Sequence, residues 1–356
     1  MRGIVSFHPV DREFFEQIVE PIVAGGRVNP EDYVERALRL RLASWISARY
    51  LRLIELMTTS ATPPPLPRDT GMVDRAKAWL ERFDFRPDPR DVLVQRVIEP
   101  ELHLHGRPFL VTEGSADRVA SVVDEYLGAG TPSKVEAIVF EQLVRLHPKL
   151  GGIVVADDDA APPSALPYRA ELLRPLQALF DMGRAARAGG DWGGPGRTRG
   201  PAVEAIAREM PWRAAWLLSR AVPQWTGRDV DGLATVFRAA CVEIPPFLQS
   251  AASLFGQACD AYPAISQSLG LELGEGRSLG AYVSPDDVPQ LGGILNAQGS
   301  LIIQAATRAG EGPRCATLLR KIRECLCYAE RHGMGYLEAA GIAPVARESD
   351  AEQAVA

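Results

Sequence analysis

Asn29-Pro30-Glu31-Asp32-Tyr33-Val34-Glu35-Arg36-Ala37-Leu38-Arg39-Leu40-Arg41-Leu42 opens the stretch 29–57, which sets the helical character of the chain. Each of its first residues is a helix-start device. The Asn29 side chain can accept from an orphan backbone N–H, Pro30 suits the first helical position, and Glu31 and Asp32 sit at the positive end of the helix dipole. Val34, Leu38, Leu42, Trp45, Leu53 and Leu56 then form the expected apolar face, with arginines mostly elsewhere.

The same punctuation recurs along the chain. Thr131-Pro132 opens a helix expected over 132–146, after one over 116–127, and Ser284-Pro285-Asp286-Asp287 opens another. Phe14, Ile18, Ile22 and Val23 share a face that Gly25-Gly26 terminates. Further helices are expected over 72–83, 168–187, most of 201–256, and 316–332, with Gly333 ending the last. Strand patterns are few and short: 4–7, 152–156 and 281–283. The period changes clearly at Glu101-Leu102-His103-Leu104-His105-Gly106-Arg107-Pro108-Phe109-Leu110-Val111-Thr112. This stretch alternates, turns at Gly106 and continues apolar, and so reads as a β-hairpin with Pro108 on an edge. The fold class expected is α+β, predominantly α-helical, with a few short strands including a hairpin near 101–112.

The 356 residues are 46 % hydrophobic and 24 % charged, which excludes a wholly disordered chain. Five cysteines are too sparse for a disulfide scaffold. No apolar run approaches the roughly 18–20 residues of a membrane helix. The small, acidic and Pro-rich stretch 157–167 is the expected boundary between an N-terminal helical domain with the hairpin (1–157) and a C-terminal helical domain (168–345), with 346–356 as a flexible tail. Pro63-Pro64-Pro65 marks a stiff linker, and 189–200 a Gly-rich loop. The opening residues lack a secretory pattern, so cytoplasmic residence is expected.

The net charge of −6 argues against a broad nucleic-acid-binding surface, and no membrane partner is expected. The cations are nearly all arginine; lysine occurs only at Lys77, Lys134, Lys149 and Lys321. Arg36, Arg39, Arg49 and Arg52 form the candidate partner-binding face, suited to an acidic protein. That is the basis of the functional expectation: a bacterial-type cytoplasmic protein acting by protein binding, as an adaptor, regulatory or immunity-like protein, without a cofactor.

The alternative is a metal-dependent hydrolytic enzyme with one divalent metal. His103 and His105 lie two apart on a strand, so both imidazoles can reach one ion. His8, His147 or the Asp157-Asp158-Asp159 cluster would complete the site, and the metal would activate a water. A small-molecule pocket between the two halves is a third reading.

Other motifs read as structural. Gly276-Arg277-Ser278-Leu279-Gly280 matches a nucleophile elbow, but its surroundings read as loop into strand rather than strand into helix. Cys315, Cys325 and Cys327 read as small core hydrophobes, because Cys325 and Cys327 do not share a helix face. Trp212 and Trp216, one turn apart, read as packing residues. The block 280–342, with Tyr282-Val283-Ser284-Pro285 and Tyr328-Ala329-Glu330-Arg331-His332-Gly333, resembles the ending of some bacterial proteins, a resemblance that implies no activity and no residue roles.

Overall fold

The computed structural model describes residues 4–60, 106–146, 148, 164–193, 200–228, 232–265, 278–308, 310 and 312–342. The expected helix at 72–83, the strand at 152–156, the linker at 63–65, most of the boundary at 157–167 and the tail at 346–356 lie outside these residues. So do His103 and His105. Among the described residues no helix is long and apolar enough to cross a membrane.

The fold is α+β and predominantly helical, around a small antiparallel sheet. Strand β1 (Ile4–Val10) leads into short helices α1 (Arg12–Phe14) and α2 (Glu20–Val23), joined by a π-helical turn at Phe15–Val19. Asp11 caps this segment by accepting from the Glu13 N–H at 3.0 Å, and Gly25 ends it at φ +84°. Helix α3 (Glu31–Ser60) follows, its side chains described as far as Leu51, and Asn29 accepts from the Glu31 N–H as expected. Next come α4 (Ala116–Gly128), α5 (Pro132–Leu146) and α6 (Ala165–Arg187).

A two-stranded ribbon, β2 (Asp191–Trp192) with β3 (Gly200–Pro201), precedes α7 (Ala202–Ala221). The rest of the chain runs β4 (Trp225–Arg228), α8 (Leu233–Ala239), β5 (Gln249–Ser250), a 3-10 turn (Ala251–Phe255), α9 (Gly256–Ala261), β6 (Ser278–Val283), α10 (Val288–Arg308), α11 (Gly312–Arg331) and β7 (Gly335–Ala340).

The main sheet has the order β4-β1-β7-β6-β5, with every neighbouring pair antiparallel. Strand β1 pairs along its length with β7, from Val5 opposite Ala340 to Val10 opposite Gly335. The sheet therefore draws on the start of the chain and on the region past residue 225.

Two clusters of buried apolar side chains sit on opposite faces, because neighbouring strand residues point opposite ways. Phe7, Trp225, Val283 and Tyr336 face one core, packed by α4, α5, α8, α10 and α11. Val10, Tyr282, Leu337 and Ala339 face the other, packed by α1, α2, α6 and α7. With both faces covered, β7 is buried continuously from Gly335 to Ala339 rather than on alternate residues.

Helix α3 serves both cores. Tyr33, Val34 and Ala37 belong to the second and Leu40, Ala43, Ile46 and Tyr50 to the first. The expected one-sided apolar face is thus corrected: Leu38, Leu42 and Trp45 are only half-buried, and burial runs around much of the helix.

The hairpin at 101–112 also needs correction. Its first arm lies outside the described residues, and 107–112 is not a strand. The backbone donors there are diverted to side chains: the Leu110 N–H donates to Ser47 Oγ and the Thr112 N–H to Gln142 Oε1. Pro108 has no N–H to give a ladder.

What anchors this segment is Arg107, buried at 6 % exposure. Its guanidinium grips the Glu324 carboxylate through two bonds, at 2.9 and 2.5 Å, and donates a third to the Val111 carbonyl. Trp225 Nε1 donates to the same carboxylate at 3.2 Å. Gly106 at φ +85° is required here, since a Cβ would meet the Thr226 carbonyl at 2.2 Å.

Helices α4 and α11 are joined at their surface by Asp124, which meets Arg331 Nη1 at 3.3 Å and His332 Nε2 at 2.8 Å. This cluster is half-exposed, so Asp124→Ala should cost no more than about 1 kcal/mol in urea unfolding. A loss above about 2 kcal/mol would show that the seam does more than pair surface charges.

Candidate functional site

The candidate site is built on one residue of the central strand. In β7, Tyr336 and Glu338 point to the same face of the sheet. Opposite Glu338, strand β6 carries a β-bulge: Leu279 pairs with Ala339 and Tyr282 with Leu337, so Gly280 and Ala281 together face one residue. The bulge also explains why Leu279 and Tyr282, three apart, both enter the second core.

Glu338 is 3 % exposed. Its Oε1 accepts from the Leu233 N–H at 2.9 Å and from the Tyr336 hydroxyl at 3.0 Å. Burial pushes its carboxyl above the usual range, while bonds from the Leu233 N–H, the Tyr336 hydroxyl and the Ala281 N–H pull the other way. Tyr336 is pushed well above its ordinary range, first by burial and then by the neighbouring Glu338 charge.

Oε2 lies on the other side, beside two glycines. A Cβ on Gly232 would approach it at 2.6 Å and one on Gly280 at 3.0 Å. Both glycines line a cleft of about 390 Å³ with Glu338, Thr235, Ser250 and Ser278. Small residues make up most of its lining, alongside Val5 and Leu248, and it lies at the low end of the size range of ligand pockets. Glu338 is the one charged residue lining it among the described residues.

The residues singled out in the sequence lie elsewhere. Arg36 is tied to Asp11 at 2.6 Å. Arg49 is half-buried with its guanidinium 4.7 Å above the Trp45 ring. Arg39 is exposed, and the Arg52 side chain lies outside the described residues. Of the three whose side chains are described, only Arg39 is exposed.

Of the expected metal ligands, His103, His105, His147 and Asp157–Asp159 lie outside the described residues. His8, the remaining candidate, is 1 % exposed in the second core, with Nε2 2.8 Å from Ser6 Oγ. Among the described residues no group of three or more His, Cys, Asp or Glu is placed to hold a metal ion.

Ser278 opens strand β6 opposite Ala340, and no helix follows it directly, so the elbow motif has no elbow. It instead lines the Glu338 cleft. Cys315 and Cys325 are buried in the first core, and Cys327 donates to Asp117 Oδ1. Burial and that bond push the Cys327 thiol up to about 12, so it stays protonated at neutral pH. Trp216 is half-buried, with the Arg220 guanidinium 4.4 Å from its ring centre.

Fold and site together define a predominantly helical α+β protein with an acidic cleft at one end of its sheet. Comparison with family models, curated proteins and solved structures finds no match to this chain.

Proposed function

We propose that the protein binds a small molecule in the Glu338 cleft. The observation that carries this reading is a carboxyl held at 3 % exposure, fixed by three neutral donors, with two glycines beside its Oε2 and the residue lining a cleft. Buried polar groups converging on a concave site with shifted proton affinity are what ligand sites share. The hydroxyls of Thr235, Ser250 and Ser278 supply further donors and acceptors at its wall.

The test is a screen of small cationic, neutral and anionic compounds by backbone amide NMR, reading Leu233, Ala281 and Glu338. Saturable shifts confined to these residues are expected. Ala234 is half-buried and lines the cleft from α8, where a larger side chain is compatible with the helix. Ala234→Leu should fill the cleft and weaken binding at least tenfold while the protein stays folded. Shifts that survive this variant unchanged would place the binding elsewhere and overturn the reading.

A further inference from the structure

Building on that reading, we propose that the cleft's ligand is a small organic cation, a primary amine or a guanidine, with Glu338 as its counter-ion through Oε2. The argument starts from charge. A buried carboxylate is costly unless it is paired, and orienting hydrogen bonds reduce that cost without neutralising it. All three donors on Glu338 are neutral, and no positively charged side chain lines the cleft among the described residues. Among the described residues none supplies the positive charge that would complete the site, and the proposal assigns that charge to the ligand.

The geometry says which oxygen receives it. Oε1 already accepts from the Leu233 N–H and the Tyr336 hydroxyl. Oε2 borders Gly232 and Gly280, where any side chain would crowd it. Glycine at both positions spares Oε2 the side chain that would crowd it, which is what a ligand N–H bonding there requires. The surrounding hydroxyls of Thr235, Ser250 and Ser278 offer the acceptors that a multivalent ammonium or guanidinium also requires.

An anion is disfavoured by like charge in a low-dielectric site. Size narrows the class further. At about 390 Å³ the cleft lies at the low end of the ligand-pocket range, so a compact cation suits it better than an extended one. Once bound, the cation would draw the proton off Glu338, so affinity should depend on pH through this residue.

The experiment uses the full chain and three probes matched in size: propylammonium, propanol and propionate, at constant ionic strength. Binding is followed by amide NMR at Leu233 and Ala281 and by the Glu338 carboxyl carbon. Propylammonium should give saturable shifts that propionate does not. Its affinity should fall towards tenfold per pH unit once Glu338 is mostly protonated, and Glu338→Gln should lose at least tenfold.

The pH profile is read on the wild-type protein, so the test does not depend on the variant folding. Affinity flat from pH 7 to pH 4, or unchanged in Glu338→Gln, overturns the proposal. If propanol or propionate binds the cleft and propylammonium does not, the cation assignment fails while the binding reading stands. If no probe of any charge binds, both fail.

Discussion

Glu324→Ala should lower the unfolding free energy by about 3–5 kcal/mol, the loss expected when one partner of a buried ion pair is removed. Both side chains of the Arg107–Glu324 pair are nearly inaccessible, at 1 % and 2 % exposure. The variant leaves a guanidinium in the first core facing a vacated space, with the Trp225 indole N–H also stripped of its acceptor. Neither can turn to water without opening the packing between α11, β4 and the 106–112 segment.

The pair's net value is a different matter from the cost of breaking it. Two buried charges replaced together by apolar side chains of similar volume often leave stability unchanged. The combination Arg107→Met with Glu324→Met should therefore recover most of what Glu324→Ala loses. Urea unfolding with a common slope measures both. A single variant that costs less than about 1 kcal/mol would mean that water reaches this pair.

The second large effect is a stability that falls with acid through His8. Ser6 Oγ donates to the Ala339 carbonyl at 3.1 Å, so its oxygen is the acceptor for His8 Nε2–H. Nδ1 then carries the lone pair and has no hydrogen-bond partner. Protonating it would bury an N–H⁺ without an acceptor, near the Arg220 guanidinium. Burial first, and Arg220 second, lower the pKa to about 3 from 6.5.

The sign follows from proton uptake. Above pH 6.5 both folded and unfolded chains hold a neutral imidazole and the site is silent. As pH falls from 6.5 towards 3, the unfolded chain takes up a proton that the folded chain refuses, and stability drops. At 1.36 kcal/mol per unit, the site should remove about 3 kcal/mol between pH 8 and pH 4.5. His8→Gln can keep a bond to Ser6 and cannot titrate. Its unfolding free energy should fall less steeply with acid, by about 1.4 kcal/mol per pH unit between pH 6 and pH 4. Parallel curves for variant and wild type would show that His8 is not held neutral.

Punctuation was the readable part of the sequence. Asn29-Pro30, Thr131-Pro132, Gly25 and Gly333 mark helix ends by local chemistry, and the structure places helix ends beside each of them. The strands were harder to read, because they are sandwiched. In Gly335-Tyr336-Leu337-Glu338-Ala339-Ala340 the first five residues are buried, so the alternation that announces a half-exposed strand is missing. Trp225–Arg228 lies within a stretch whose pattern reads as helical, and four residues are too few to show a period.

The candidate site shared that fate. Glu338 stands alone as an acid in an apolar run, and its bulge partners Gly280 and Ala281 are some sixty residues away in sequence. Nothing local to either segment joins them. The one signal available was the lone carboxyl in an otherwise buried-looking string, since an acid is fully buried only when something holds it.

The pairing of the first strand with the last has a consequence for how the chain is made. Ser6 bonds to the carbonyl of Ala339, 333 residues later. At about 5–20 residues per second, the first strand leaves the ribosome roughly 15–70 seconds before its main partner exists. During that interval each core lacks the strand that divides it from the other, and the apolar edges of Phe7 and Val10 are uncovered. Helix pairs such as α4 with α5 can form early, but the sheet closes only once residues 335–340 have emerged. Nascent chains stalled before residue 335 should therefore be held by chaperones that recognise exposed apolar strands, and the full-length chain should let them go.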